Sequence, residues 1–245
     1  MIRRRRMRWL ATLAATAIVP GVALIATPLA AQSVEHTPDT YDNLVEVLRS
    51  EVDQTAATDR ALEIMRGEYA VHPTISSFES QSPGFIDDII DALRPLIRAH
   101  DERGNAILEG EMAALFRAEL TPEEADEIAV LYSTPVINRL MQNVSRNFDP
   151  ENVMGALLSD APVSETDVRA DSNTASSQAY YQLSQEERAT VDSMLSNTAA
   201  WPKFVVLLPE VNAIQTRVQN IPPNDEQTAA MKAIVQDVFK EHFAN

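Results

Sequence analysis

Residues Leu120 to Met141, LTPEEADEIAVLYSTPVINRLM, hold two helix starts in succession, and few folds accommodate that. Thr121 is a natural N-cap, because its hydroxyl accepts from an orphan N–H of the first turn. Pro122 follows at the first helical position, where a missing N–H costs nothing. Glu124 stands three residues past the cap and completes a capping box. Glu123, Glu124, Asp126 and Glu127 set negative charge at the positive end of the helix dipole. Ala125, Ile128, Ala129, Leu131 and Tyr132 then fall on one apolar face at helical spacing. Pro135 disfavours helical geometry at Thr134 and has no N–H to donate. It opens a second helix, capped by Ser133 or Thr134, with Ile137, Leu140, Met141, Val144 and Phe148 as its stripe. A tight helix–corner–helix unit is the expected outcome, with Tyr132 near the bend.

A weaker copy of the same start lies 63 positions on. Leu183, Ser184, Glu186 and Glu187 match Leu120, Thr121, Glu123 and Glu124. Val191 matches Ile128, and Met194-Leu195-Ser196 matches Leu131-Tyr132-Ser133. Thr198 is then expected to cap the following helix. Internal duplication and convergence of two capped amphipathic helices both account for the match.

An E-L-T-x-E-E helix followed by an aromatic-aromatic-x-S-P-x-G corner resembles the proteobacterial domain of unknown function 2059. Here those positions read Glu119-Leu120-Thr121-Pro122-Glu123-Glu124 and Leu131-Tyr132-Ser133-Thr134-Pro135-Val136-Ile137. Leu131 replaces the first aromatic, and Ile137 stands at the glycine. The resemblance spans residues 85–149. It implies a secreted helical domain without assigned chemistry, and it carries over no catalytic residue.

The rest of the chain repeats the helical theme. Tyr41, Leu44, Val45, Leu48 and Val52 recur at helical spacing, and a further helix starts near Thr58-Asp59. Thr74 to Pro83 reads as a serine-rich loop. Phe85, Ile86, Ile89, Ile90, Leu93, Leu96, Ile97 and His100 form the longest stripe, with a kink expected at Pro95. Residues 158–177 are polar, acidic and poor in large apolar side chains, which reads as a linker or long loop. Val205, Leu208, Val211, Ile214 and Val218, then Met231, Ile234, Val235, Val238 and Phe239, continue the pattern to the C-terminus. No stretch alternates at period two for long. The expected fold class is all-α, a multi-helix bundle of helix–corner–helix units. Residues 32–157 would form a first helical domain, and residues 178–245 a second unit packed on it.

The N-terminus has the form of an export signal. Arg3, Arg4, Arg5, Arg6 and Arg8 precede an apolar run that ends in Leu29-Ala30-Ala31, so residues 1–31 read as a signal peptide cleaved after Ala31. An uncleaved inner-membrane anchor is the alternative, since the run is long for a signal. Removing residues 1–31 takes five arginines and no acid, and moves the formal charge from −16 to −21. Such a chain repels nucleic acid and anionic membrane surfaces. With no cysteine there is no disulfide, thiolate site or lipidated cysteine. The expected compartment is the periplasm or the medium.

Catalytic language is sparse. The histidines, His36, His72, His100 and His242, are scattered. No zinc-protease, calcium-loop, nucleophile-elbow or phosphate-loop motif is present, and nothing calls for a cofactor or a metal. The Glu123-Glu124 and Glu186-Glu187 pairs have a sufficient explanation in capping. Thr121, Pro122, Glu124, Pro135, Ser184 and Glu187 are accordingly read as structural caps. The apolar candidates for interaction are Trp201 and Phe204, in the densest aromatic patch, and Tyr132; a core role competes at each. Three functions fit: a non-enzymatic periplasmic protein that binds a basic or apolar envelope protein or peptide, an envelope hydrolase with dispersed carboxylates, and a carrier holding a small apolar ligand between helices.

Overall fold

The computed structural model describes residues 39–50, 54–159 and 161–244. The predicted signal at 1–31 lies outside them. The chain is an all-α multi-helix bundle, with no strand among the described residues. In order its helices are α1 (Thr40–Arg49), α2 (Gln54–Val71), α3 (Pro73–Gln81), α4 (Phe85–Glu119), α5 (Pro122–Tyr132) and α6 (Pro135–Asn147). They are followed by α7 (Glu151–Leu158), α8 (Glu165–Gln182), α9 (Gln185–Asn197), α10 (Trp201–Gln219) and α11 (Asp225–Phe243).

Helix α4 is the spine. Its 35 residues span about 50 Å at ~1.5 Å per residue. The N-terminal half buries Phe85, Ile86, Ile89, Ile90, Leu93 and Ile97 against α2, α3 and α11. The C-terminal half buries Leu108, Met112, Ala113 and Phe116 against α1, α5 and α10. One helix therefore anchors two cores, and the chain after residue 178 packs into both. Pro95 lies within α4 and is exposed, as is Asp91 one turn earlier. The carbonyl that proline leaves without an amide partner thus sits on the solvent side, and α4 runs on to Glu119.

The capping boxes are formed at both of the matching helix starts. Thr121 Oγ1 accepts from Glu124 N–H at 3.2 Å, and Thr121 N–H donates to Glu124 Oε2 at 2.8 Å. Ser184 and Glu187 repeat the exchange at 3.2 and 2.9 Å. Other helices begin at residues that offer no acceptor, and distant carboxylates serve them. Glu79 accepts from Gly84 and Ile86 N–H, both at 2.8 Å, at the start of α4. Gly84 has φ 96°, which only glycine adopts without strain, and this allows the sharp entry. Glu127 accepts from Ala199 and Ala200 N–H at 2.8 and 2.9 Å and caps α10. Asp171 caps α7 in the same way, through the Asn152 and Val153 amides.

Several expectations are corrected. Residues 165–182 are helix α8, not a linker or loop. Its buried side chains are Val168, Asp171, Ala175 and Ala179, so the helix packs on small residues against α6, α7 and α10. The serine-rich stretch after Pro73 is helix α3, with proline at its first turn and Ile75 buried. The second helix starts by Gln54, ahead of Thr58. Thr134 and Thr198 do not cap forward. Their hydroxyls donate back to Leu131 O at 2.7 Å and Met194 O at 2.9 Å, closing the preceding helices.

Candidate functional site: a cavity between helices

Five helices leave a cavity of about 270 Å³ where the two cores meet. From α2 come Ala57, Thr58, Ala61 and Met65, and from α4 Ile97, His100, Asp101, Gly104, Asn105 and Leu108. The remaining wall belongs to Phe148 and Pro150, to α7, and to Val168, Ser172, Gln215 and Val218 on α8 and α10. The space has a structural origin. Alanines on α2 and a glycine on α4 face it, and Val218 approaches Gly104 so closely that a Cβ there would lie 3.3 Å from its Cγ1. Aliphatic groups form most of the lining; Thr58, His100, Asp101 and Asn105 stand on α2 and α4, and Ser172, Gln215 and Gln219 on α8 and α10.

The wall built by α2 and α4 holds a specific pair. Thr58 Oγ1 donates to Asp101 Oδ2 at 2.5 Å. Burial pushes the Asp101 carboxyl above its usual range; the Thr58 hydrogen bond opposes this and the Glu102 charge adds to it. Burial also moves His100 down to about 4, helped by the Arg103 charge. At neutral pH the cavity thus presents a neutral imidazole beside a carboxyl group. Among the described residues that line it there is no lysine or arginine.

The two inward carboxylates differ. Asp171, 3% exposed, accepts from Asn152 N–H at 3.2 Å, Asn152 Nδ2 at 2.6 Å and Val153 N–H at 3.1 Å. It is a saturated structural cap. Among the described residues Asp101 has a single hydroxyl donor and no ion pair.

The apolar candidates read from sequence lie elsewhere. Phe204 is 2% exposed in the core around Phe116. Trp201 and Tyr132 are partly buried against it, with ring centroids 5.8 and 6.0 Å from Phe204. Burial pushes the Tyr132 hydroxyl up to about 12. These three rings pack α5 against α10. Elsewhere on α10, Val205, Val206 and Leu208 are exposed.

A chain of hydrogen bonds links Ser82, His242 and Asp88. Ser82 Oγ lies 2.7 Å from His242 Nδ1, and His242 Nε2 lies 2.8 Å from Asp88 Oδ2. The order resembles a nucleophilic relay, but its surroundings are those of a clasp. Asp88 is exposed, and the Gly84 and Ile86 amides point at the Glu79 carboxylate instead of an empty oxyanion position. The imidazole packs edge-on to Phe85 and ties the end of α11 to the start of α4. No group of three or more His, Asp or Glu side chains among the described residues is placed to hold a metal ion.

In the sequence His100 and Asp101 are only neighbours at the end of one apolar stripe, and nothing local marks the cavity, which is assembled from five separated helices. Comparison with protein-family models, with curated proteins and with solved structures finds no match for this chain.

Proposed function

We propose that this chain is a non-enzymatic binding protein of the bacterial periplasm that holds one small, mostly apolar molecule between its helices. The cavity carries this reading: it is apolar over most of its wall, and a few polar side chains, Asp101 among them, are set into it. That is the usual anatomy of a ligand site, with a volume just below the ~300–1,000 Å³ usual for drug-sized ligands. The basic head and apolar run of residues 1–31, the acidity of the rest, and the resemblance of residues 85–149 to a secreted helical family support the compartment. No helix among the described residues is long and apolar enough to cross a membrane.

Titration calorimetry of the full chain with 1-octanol tests the proposal. The expected result is saturable binding of one molecule per chain, lost when Ala61→Leu fills the space. Absence of binding, or equal binding by the filled variant, refutes it.

A second reading, docking of an apolar envelope peptide, is favoured by the exposed Val205, Val206 and Leu208. Under that reading Val206→Asp abolishes cross-linking of an apolar peptide and leaves octanol binding intact. Under the cavity reading Val206→Asp changes nothing that octanol reports.

A further inference from the structure

We infer that the ligand carries a cationic head, and that the site takes a hydrophobic primary amine with its ammonium group on Asp101. This rests on the cavity being a ligand site, and it adds the chemistry of the head group.

The argument begins with how this protein treats its carboxylates. Arg117 meets Asp39, Arg49 meets Glu109, Arg217 meets Glu111, and Lys203 meets Glu124. Asp171, Glu127 and Glu79 receive backbone amides instead. Asp101 is set into the cavity wall, and among the described residues only the Thr58 hydroxyl donates to it. A partly desolvated carboxylate with one neutral donor is short of both charge and hydrogen bonds. A fully satisfied structural role would show the three donors that Asp171 has.

The other groups of the lining narrow the choice. His100 lies beside Asp101 and is neutral, so it does not supply the missing charge. Arg103 acts on His100 through space but does not line the cavity. Among the described residues the lining offers a carboxylate or a fatty-acid head no cation. It offers a phosphate none either. An ammonium group brings three donors and a positive charge. Thr58 keeps one Asp101 oxygen, which leaves the other for the amine. The alkyl or aryl body then lies along Met65, Ile97, Val153, Met154 and Val218.

The test compares three probes of one chain length, n-octylammonium, 1-octanol and octanoate, by calorimetry on the full chain at neutral pH. The inference predicts the order octylammonium, octanol, octanoate, with the amine about ten-fold or more tighter than the alcohol. Asp101→Asn should remove that preference, so that amine and alcohol bind within about two-fold of each other, while far-ultraviolet dichroism reports that the variant is folded. Equal binding of amine and alcohol, or an amine preference that survives Asp101→Asn, overturns the cationic head while the cavity reading stands. Tightest binding of octanoate overturns it too. Binding of none of the three overturns both.

Discussion

At the scale of single residues, two aspartates of the interior separate structure from function. Asp171 terminates the N-terminus of α7, whose own N-cap, Pro150, has no acceptor to offer. Asp171→Ala strands buried donors and should cost about 2–4 kcal/mol. Urea unfolding should show a lower midpoint with an unchanged slope; a loss under ~0.5 kcal/mol would contradict the role. His100 makes a pH prediction with a definite sign. Its imidazole titrates near ~6.5 in the unfolded chain and near about 4 in the native one. Between those values the unfolded state binds more protons, so stability falls as pH drops from ~6.5 towards 4. His100→Gln should remove close to one proton of linkage from that window, measured as the urea midpoint against pH. The depressed carboxyls of Glu79, Glu124 and Glu187 act lower, where stability is lost as pH falls through their native values. Gly104→Ala is a third residue-level prediction. The added methyl meets Val218, which borders free space and has room to move. The substitution should therefore stabilise α4 by about 0.5–1 kcal/mol in thermal unfolding, while octanol binding weakens.

At the scale of elements, α8 shows how a helix escapes a reading of its sequence. Its buried positions, Val168, Asp171, Ala175 and Ala179, keep helical spacing, but only one is a large hydrophobe. Short side chains let α8 approach α6 closely, and the tips are tied by paired amides of Asn147 and Gln182 at 3.1 Å. Ala175→Leu should overpack that contact and destabilise by about 1–3 kcal/mol in chemical unfolding; a neutral result would mean the helices do not pack as described. The elements that were legible, α4, α5 and α9, announce themselves locally, through a long apolar stripe at 85–97 and through Thr121-x-x-Glu124 and Ser184-x-x-Glu187. The caps supplied by Glu79, Glu127 and Asp171 were not legible as such. The only signal was a helix start at Gly84, Pro150 or Ala200 that lacked a side-chain acceptor of its own. The corner at Pro135 and the start of α10 also differ. Pro135 directly follows the Ser133–Thr134 turn, whereas α10 begins three residues past Thr198 under the Glu127 cap. The second unit thus repeats the capped helix and not the whole corner.

At the scale of the molecule, one long helix joins two cores, and the cavity lies where they meet. Leu108 and Val218 belong to one core, and Met65, Ile97 and Met154 to the other. Small residues at Ala57, Ala61 and Gly104 leave the gap open, in place of the larger side chains that would close it. Because α4 belongs to both cores, unfolding should be a single transition, with far-ultraviolet dichroism and tryptophan fluorescence coincident. Separated transitions would divide the molecule at the cavity. None of this was visible in the linear pattern, because each of the five contributing helices shows the site only one or two residues per turn. The central claim is that these helices enclose a site for a small apolar molecule, and ¹⁵N-resolved NMR of the full chain titrated with 1-octanol tests it most directly. The account predicts saturable shifts confined to amides around Thr58, Asp101, Gly104, Val153, Val168 and Val218. Unmoved spectra, or shifts gathered instead on the exposed face of α10 at Val205, Val206 and Leu208, would contradict it.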